Sequence, residues 1–266
     1  MNDNLLLQHL CSELAGPKED ELDPELHERL SVAEQVGRLH VHFHGSPMEA
    51  TYFRLCRALR EPGTAGRVAS IVLNGPDEGA NGVCNWRLDE LLDGSTTFPE
   101  LKLFSIAQSA PGDHNHRIVA TGYEEDGALG RLLCKAPALE ALIAPSAPNA
   151  SFFEHAGHPL RRLDLDAGLA TEDFIGNLAD SKAFSGLKHL AFGEFNQTYL
   201  KDFRERRTPL EDYRRLFTSA AFSTVASFTW RNPPCAPGDV EALRALLPRR
   251  FTFKVIRYSS EYIRAA

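Results

Sequence analysis

Apolar residues recur along this chain in an apolar-x-x-apolar-x-apolar pattern, with helical stripes between the copies. In order the copies read Val36/Leu39/Val41, Val68/Ile71/Leu73, Leu101/Phe104/Ile106, Leu139/Leu142/Ala144, Leu160/Leu163/Leu165, Leu187/Leu190/Phe192, Val225/Phe228/Trp230 and Phe253/Ile256/Tyr258. A short alternating run marks a strand with one buried face. Most later copies are entered through one kind of phrase: "FPELKLF", "APALEAL", "HPLRRLDL", "FSGLKHLAF" and "FSTVASFTW". In each, Pro, Gly or Ser ends a helix before the alternating run begins. Between the runs, "PMEATYFRLCRALR" carries Met48, Tyr52, Cys56 and Leu59 at helical spacing, the mark of a helix with one buried stripe. "TEDFIGNLA", "TPLEDYRRLF" and "PGDVEALRALL" open on residues suited to helix starts. The predicted unit is strand, loop, helix, strand, with right-handed crossovers.

Ahead of the first copy, Asn4 is placed to cap a helix carrying Leu6, Leu7, Leu10 and Leu14, ended by Gly16-Pro17. A second helix is predicted from Asp23 to about Gln35, with Leu26, Leu30 and Ala33 on one stripe. Residues 1–37 would then form an acidic helical cap or arm, and residues 38–266 the repeating domain. The first 37 residues hold nine acids against two bases, Lys18 and Arg29, which accounts for the whole net charge of −7. "PKEDELDPE" reads as a solvated linker or an acidic interaction arm.

Composition narrows the function classes. A 43% hydrophobic content supports a sizeable core, and no apolar run approaches the ~18 residues of a membrane span. No signal peptide is expected, and no membrane partner. Cys11, Cys56, Cys84, Cys134 and Cys235 are scattered and never form C-x-x-C, which fits neither a disulfide framework nor a zinc ribbon. Cys56 and Cys134 lie in apolar helical patterns and are expected in the core; a reducing cytoplasm is the expected compartment. No basic patch with interleaved aromatics suggests nucleic acid. Phosphate-loop, dinucleotide, zincin and nucleophile-elbow motifs are absent, so no cofactor is expected.

Over about residues 36–258 the ordered copies resemble leucine-rich repeats of the helix-containing, ribonuclease-inhibitor-like kind, and in particular irregular bacterial repeat proteins of that type. The resemblance implies an α/β solenoid of about 7–8 irregular repeats, a curved parallel sheet with helices on its convex side. The units are uneven in length. The family's Asn or Cys after the last core residue is replaced by His44, Pro76, Ser109, Ala147, Gly168, Phe195 and Pro233.

On such a fold the residues between the inner apolar positions face the concave surface. One column would read Arg38, Ser70, Leu103, Ala141, Arg162, His189, Ser227. The next would read His40, Val72, Ser105, Ile143, Asp164, Ala191, Thr229, and a third His42, Asn74, Ala107, Pro145, Asp166, Gly193, Arg231. Val72, Leu103 and Ile143, with Pro145, would make an apolar patch. Arg162, Asp164, Asp166, His189, Glu194 and Arg231 would make a charged one. Apolar anchors beside convergent charges suit a protein partner, although the same residues also suit a solvated sheet face.

"RLHVHFHG" places His40, His42 and His44 on one strand face. They read either as polar face or, joined by Asp113, His114 and His116 of "PGDHNH", as metal ligands. Long insertions at 74–85, 107–126 and 193–207 should gather along one rim, where Phe195 and Tyr199, beside Glu194 and Arg206, read either as contact residues or as core packing under the loop. "TGYEEDGALG" is expected to be a turn, and His155 and His158 to be structural. The expected function is a non-catalytic scaffold that binds a protein partner. The alternative is a metal-dependent hydrolase using His40 and His42 with the His114/His116 loop.

Overall fold

Six of the strands alternate buried and open side chains, and that alternation fixes the architecture. The computed structural model describes residues 5–15, 27–77, 79, 82–110, 112–122, 125–194 and 206–258. The strands are β1 (Arg29–Gln35), β2 (Arg38–His44), β3 (Val68–Asn74), β4 (Gly82–Asn85), β5 (Leu103–Ile106), β6 (Asn115–Ile118), β7 (Ala141–Ala144), β8 (Arg162–Asp166), β9 (His189–Gly193), β10 (Ser227–Arg231) and β11 (Thr252–Ile256). The main sheet has nine strands in the order β1-β2-β3-β5-β7-β8-β9-β10-β11; β1 is antiparallel to β2 and every other pairing is parallel. The molecule is therefore α/β with a mostly parallel sheet.

One row of the inner face runs Val41, Ile71, Phe104, Leu142, Leu163, Leu190, Phe228, Phe253, each paired with its neighbour across the sheet. A second row runs from Phe43 and Leu73 to Phe192, Trp230 and Val255. The members of these rows through β10 are buried. Helices α1 (Leu5–Leu14), α2 (Ala50–Leu59), α3 (Pro62–Ala65), α4 (Asp89–Leu92), α5 (Ala128–Lys135), α6 (Phe174–Asp180), α7 (Leu210–Thr218) and α8 (Pro237–Arg244) share the core with that face. Their buried residues keep helical spacing: Tyr52, Leu55, Cys56 and Leu59 on α2, and Tyr213, Leu216 and Phe217 on α7. Full burial of each such side chain is worth about 1.5–3 kcal/mol.

Aromatic rings close both ends. Tyr52 meets Trp86 edge-on at 5.3 Å and donates its hydroxyl to the Arg87 carbonyl at 2.7 Å. At the far end Phe228 and Phe253 stack at 5.8 Å with ring planes 8° apart.

Four sequence expectations are corrected. The second N-terminal helix is instead β1 over Arg29–Gln35, joined to β2 through Val36 (φ 52°) and Gly37 (φ 75°). The first copy is displaced by two residues: Ile71 pairs with Val41, not Leu39, where the ladder slips between Leu39 and His40. The last copy is displaced by three, because Phe253 rather than Ile256 pairs with Phe228. Finally, the insertions at 74–85 and 107–126 are not simple loops: β4 and β6 within them form a two-stranded parallel ladder of their own. Residues 17–25, Phe195 and Tyr199 lie outside the described residues.

Candidate functional site

The face of the main sheet away from the helices carries the candidate site. Pairing aligns His40, Ser70, Leu103, Ala141, Arg162, His189 and Ser227 in one column. The second column holds His42, Val72, Ser105, Ile143, Asp164, Ala191 and Thr229. Beyond these, His44 pairs with Asn74, and Asp166, Gly193 and Arg231 lie abreast. From β3 to β10 the first two columns agree with the sequence expectation, and at β2 each column moves on by one histidine. Arg38 falls outside the columns, with no partner on β3, and pairs with Glu100 at 2.6 Å.

Val72, Leu103 and Ile143 are half-buried on three successive strands, β3, β5 and β7. Pro145, expected beside them, is buried.

The charged group is a bonded network. Arg231 donates from Nη1 to Asp164 Oδ1 at 2.8 Å, from Nε and Nη2 to Asp166 Oδ1 at 3.1 and 2.9 Å, and from Nη2 to the Leu165 carbonyl at 2.9 Å. Arg162 reaches Asp164 Oδ2 at 3.1 Å, and Gln108 donates to Asp164 Oδ1 at 3.2 Å. Burial works to raise the Asp164 carboxyl, but Arg231 outweighs it and holds the group below the usual carboxylate range. Burial lifts the Asp166 carboxyl above that range against the pull of Arg231. His189 shares a hydrogen bond with Ser227 at 2.8 Å, and His40 repeats the arrangement with Ser70 at 2.9 Å.

Glu194 does not belong to this face. One residue beyond β9 the alternation turns it inward, where it is 6% exposed. Its carboxylate accepts from the Tyr213 hydroxyl at 2.5 Å and from the Thr208 N–H at 3.3 Å. Burial pushes its carboxyl up to about 7.

The four histidines of the metal alternative are not brought together. His116 is buried and donates from Nε2 to the Gly168 carbonyl at 2.9 Å, and burial lowers its imidazole below the usual value. His114 donates from both Nδ1 (2.8 Å) and its backbone N–H (3.0 Å) to Asp77 Oδ2. Among the described residues no group of three or more His, Cys, Asp or Glu is disposed to hold a metal ion. The reason is local: β6 pairs with β4 instead of lying as a free loop, and all four of its residues, His116 among them, are buried.

The β4–β6 ladder walls one end of the open face. Arg117 ties it down through the carbonyls of Gln108 (2.8 Å) and Gly75 (3.0 Å). Between this wall and β1–β3 lies a cleft of about 700 Å³, floored by Arg29, Ser31, His42, His44 and Asn74. Sequence reasoning missed Arg29 and Ser31, because it made their strand a helix. A shallower hollow of about 300 Å³ sits over Ala191 and Thr229, edged by Arg162 and His189.

His158 donates to the Ala136 carbonyl at 3.2 Å, and Asp126 Oδ1 accepts from the Ala128 N–H at 3.0 Å beside Gly127. Both bond backbone, the first at the distant end of α5 and the second in its own turn. Cys56 is buried as expected, whereas Cys134 is exposed beside His155.

No protein-family model matches the chain, and no curated protein matches it. No helix among the described residues is long and apolar enough to cross a membrane.

Proposed function

We propose that this chain is an irregular leucine-rich-repeat solenoid whose open face is concave and holds a protein partner, without catalysis. The observation carrying the reading is the register of seven parallel strands, β2 to β10, which stacks open side chains into unbroken columns. A surface ordered before contact spends little conformational entropy on association. The loops are compatible with an irregular repeat lacking the family's asparagine ladder. Ser146 Oγ accepts from the Val119 N–H at 2.8 Å and Asn85 Oδ1 from the Ala120 N–H at 3.1 Å, so scattered side chains do the ladder's work. Five free cysteines suit a reducing compartment, and the cytoplasm is the proposed location.

A photo-cross-linking amino acid at Ser105, in the middle of the open face, tests the reading against one at Arg57 on α2. Protein adducts formed in cells at Ser105 and not at Arg57 are the expected result. Adducts at Arg57 alone, or at neither position, would overturn it.

A further inference from the structure

The cleft beside the β4–β6 ladder has an uneven supply of polar partners. Its acids are already engaged: Asp77 accepts twice from His114, and Asp113 accepts from the Ala110 N–H at 2.7 Å and pairs with Arg117 at 3.3 Å. Three of the residues on its floor are not. The side chains of Arg29, Ser31 and His42 make no hydrogen bond or ion pair among the described residues. β1 pairs Arg29 with His44 and Ser31 with His42, so these side chains stand on the open face together. A guanidinium, a hydroxyl and an imidazole, which keeps an N–H in either charge state, form a donor set for an anion. The two carboxylates in the wall disfavour a doubly charged phosphate and leave a single carboxylate as the better fit.

The cleft also opens onto the apolar strip. His42 pairs with Val72, and the same column continues through Ser105 to Ile143, with Leu103 one column over. Neighbouring strands lie about 4.8 Å apart, so Ile143 is roughly 15 Å from His42. A few extended residues span that distance.

We infer that the cleft receives a side-chain carboxylate from an acidic segment of the protein partner, whose following apolar residues lie across β3, β5 and β7. This rests on the scaffold reading. It adds which chemistry the face selects and in which direction the segment runs.

The test uses the full chain and a fluorescently labelled peptide carrying two glutamates followed by two leucines. Its counterpart carries lysines in place of the glutamates, and succinate and inorganic phosphate serve as competitors. The acidic peptide should bind, the lysine peptide should not, and Arg29→Gln or His42→Gln should weaken binding about tenfold each. Both positions are exposed, so unchanged thermal melting of the variants is the control for folding. Four results would overturn the carboxylate assignment. The lysine peptide binding, with loss on Ser105→Arg, would leave the face a docking surface of the opposite chemistry. Succinate or phosphate alone binding as tightly as the peptide would make the cleft a small-anion site. A dimer dissociated by Arg29→Gln would put a second copy there. If neither peptide binds, the assignment also fails, and adducts at Ser105 then decide separately whether the scaffold reading survives.

Discussion

Asp166 and Arg231 lie on strands two apart, yet their side chains bond at 2.9 Å because Gly193 on the strand between them has no side chain. A methyl group on Gly193 would fall 2.0 Å from Asp166 Oδ1 and 3.2 Å from Arg231 Nε. Gly193→Ala is therefore expected to cost about 2–4 kcal/mol, by overpacking and by breaking a largely buried pair. Urea unfolding reads the loss. Adding Gly193→Ala to Asp166→Ala should cost under about 1 kcal/mol, since the clash is then gone; equal costs in both backgrounds would refute the account.

Arg231→Met leaves Asp164 and Asp166 beside each other without their cation, and a loss of about 3–5 kcal/mol at neutral pH is expected. Arg231 holds the Asp164 carboxyl below its unfolded value, so that stabilisation is full above about pH 4 and fades as pH falls through the depressed value. The gap between wild type and variant should accordingly narrow at acid pH. Urea midpoints at pH 7 and pH 3 make the comparison.

Glu194 works with the opposite sign. Its folded-state carboxyl is pushed up to about 7 by burial, despite the bonds from Tyr213 and Thr208. The stability it contributes is complete below the unfolded value near 4.3 and is lost as pH rises through about 7, up to about 3 kcal/mol. Glu194→Gln keeps an acceptor for Tyr213 without the ionisation. Plotted against pH, the stability difference between the two proteins should move in the variant's favour between about pH 4.5 and 7.5 and then level off.

The cysteines should divide by burial. Cys134 is exposed, whereas burial pushes the Cys56 thiol up to about 12. Thiolate is the reacting form. Alkylation of the native protein followed by peptide mass mapping should label Cys134 first and leave Cys56 unmodified until the chain unfolds. Early labelling of Cys56 would contradict the packing of α2.

The columns of the open face were readable where strands alternate cleanly, as in Arg162–Asp166 and Ser227–Arg231. Three errors share one cause, the use of a fixed apolar template where local geometry decides. At the first copy Leu39, Val41 and Phe43 are all apolar, so the template matched one step too early. At the last, the template sets Phe253 in its first position, although stacking on Phe228 makes it the middle one. Leu30 and Ala33 happen to fit a helical stripe, but Leu30 and Val32 are the half-buried alternate residues of a strand. Val-Gly is also a weak turn signal, because a β-branched residue rarely takes a positive φ. Carrying the alternation one step past Phe192 would have turned Glu194 inward. The β4–β6 pairing had no such signal: "GVCN" and "NHRI" are four residues each and do not alternate.

Strand order in the main sheet follows chain order, so each rung leans on the rungs beside it and a disturbance at one end need not reach the other. The bonds that skip a rung change this. Gln108, beyond β5, holds Asp164 on β8, His116 in the side ladder holds the Gly168 carbonyl, and Arg231 on β10 holds Asp166 on β8. They act as tie-rods along one edge of a stack of hinged plates. Load applied at the end of β3 should pass to β8 through Arg117, which holds the Gly75 and Gln108 carbonyls, and through Gln108 to Asp164. The walled half of the face should flex as one stiff panel, while β11, beyond the last tie, bends on its own.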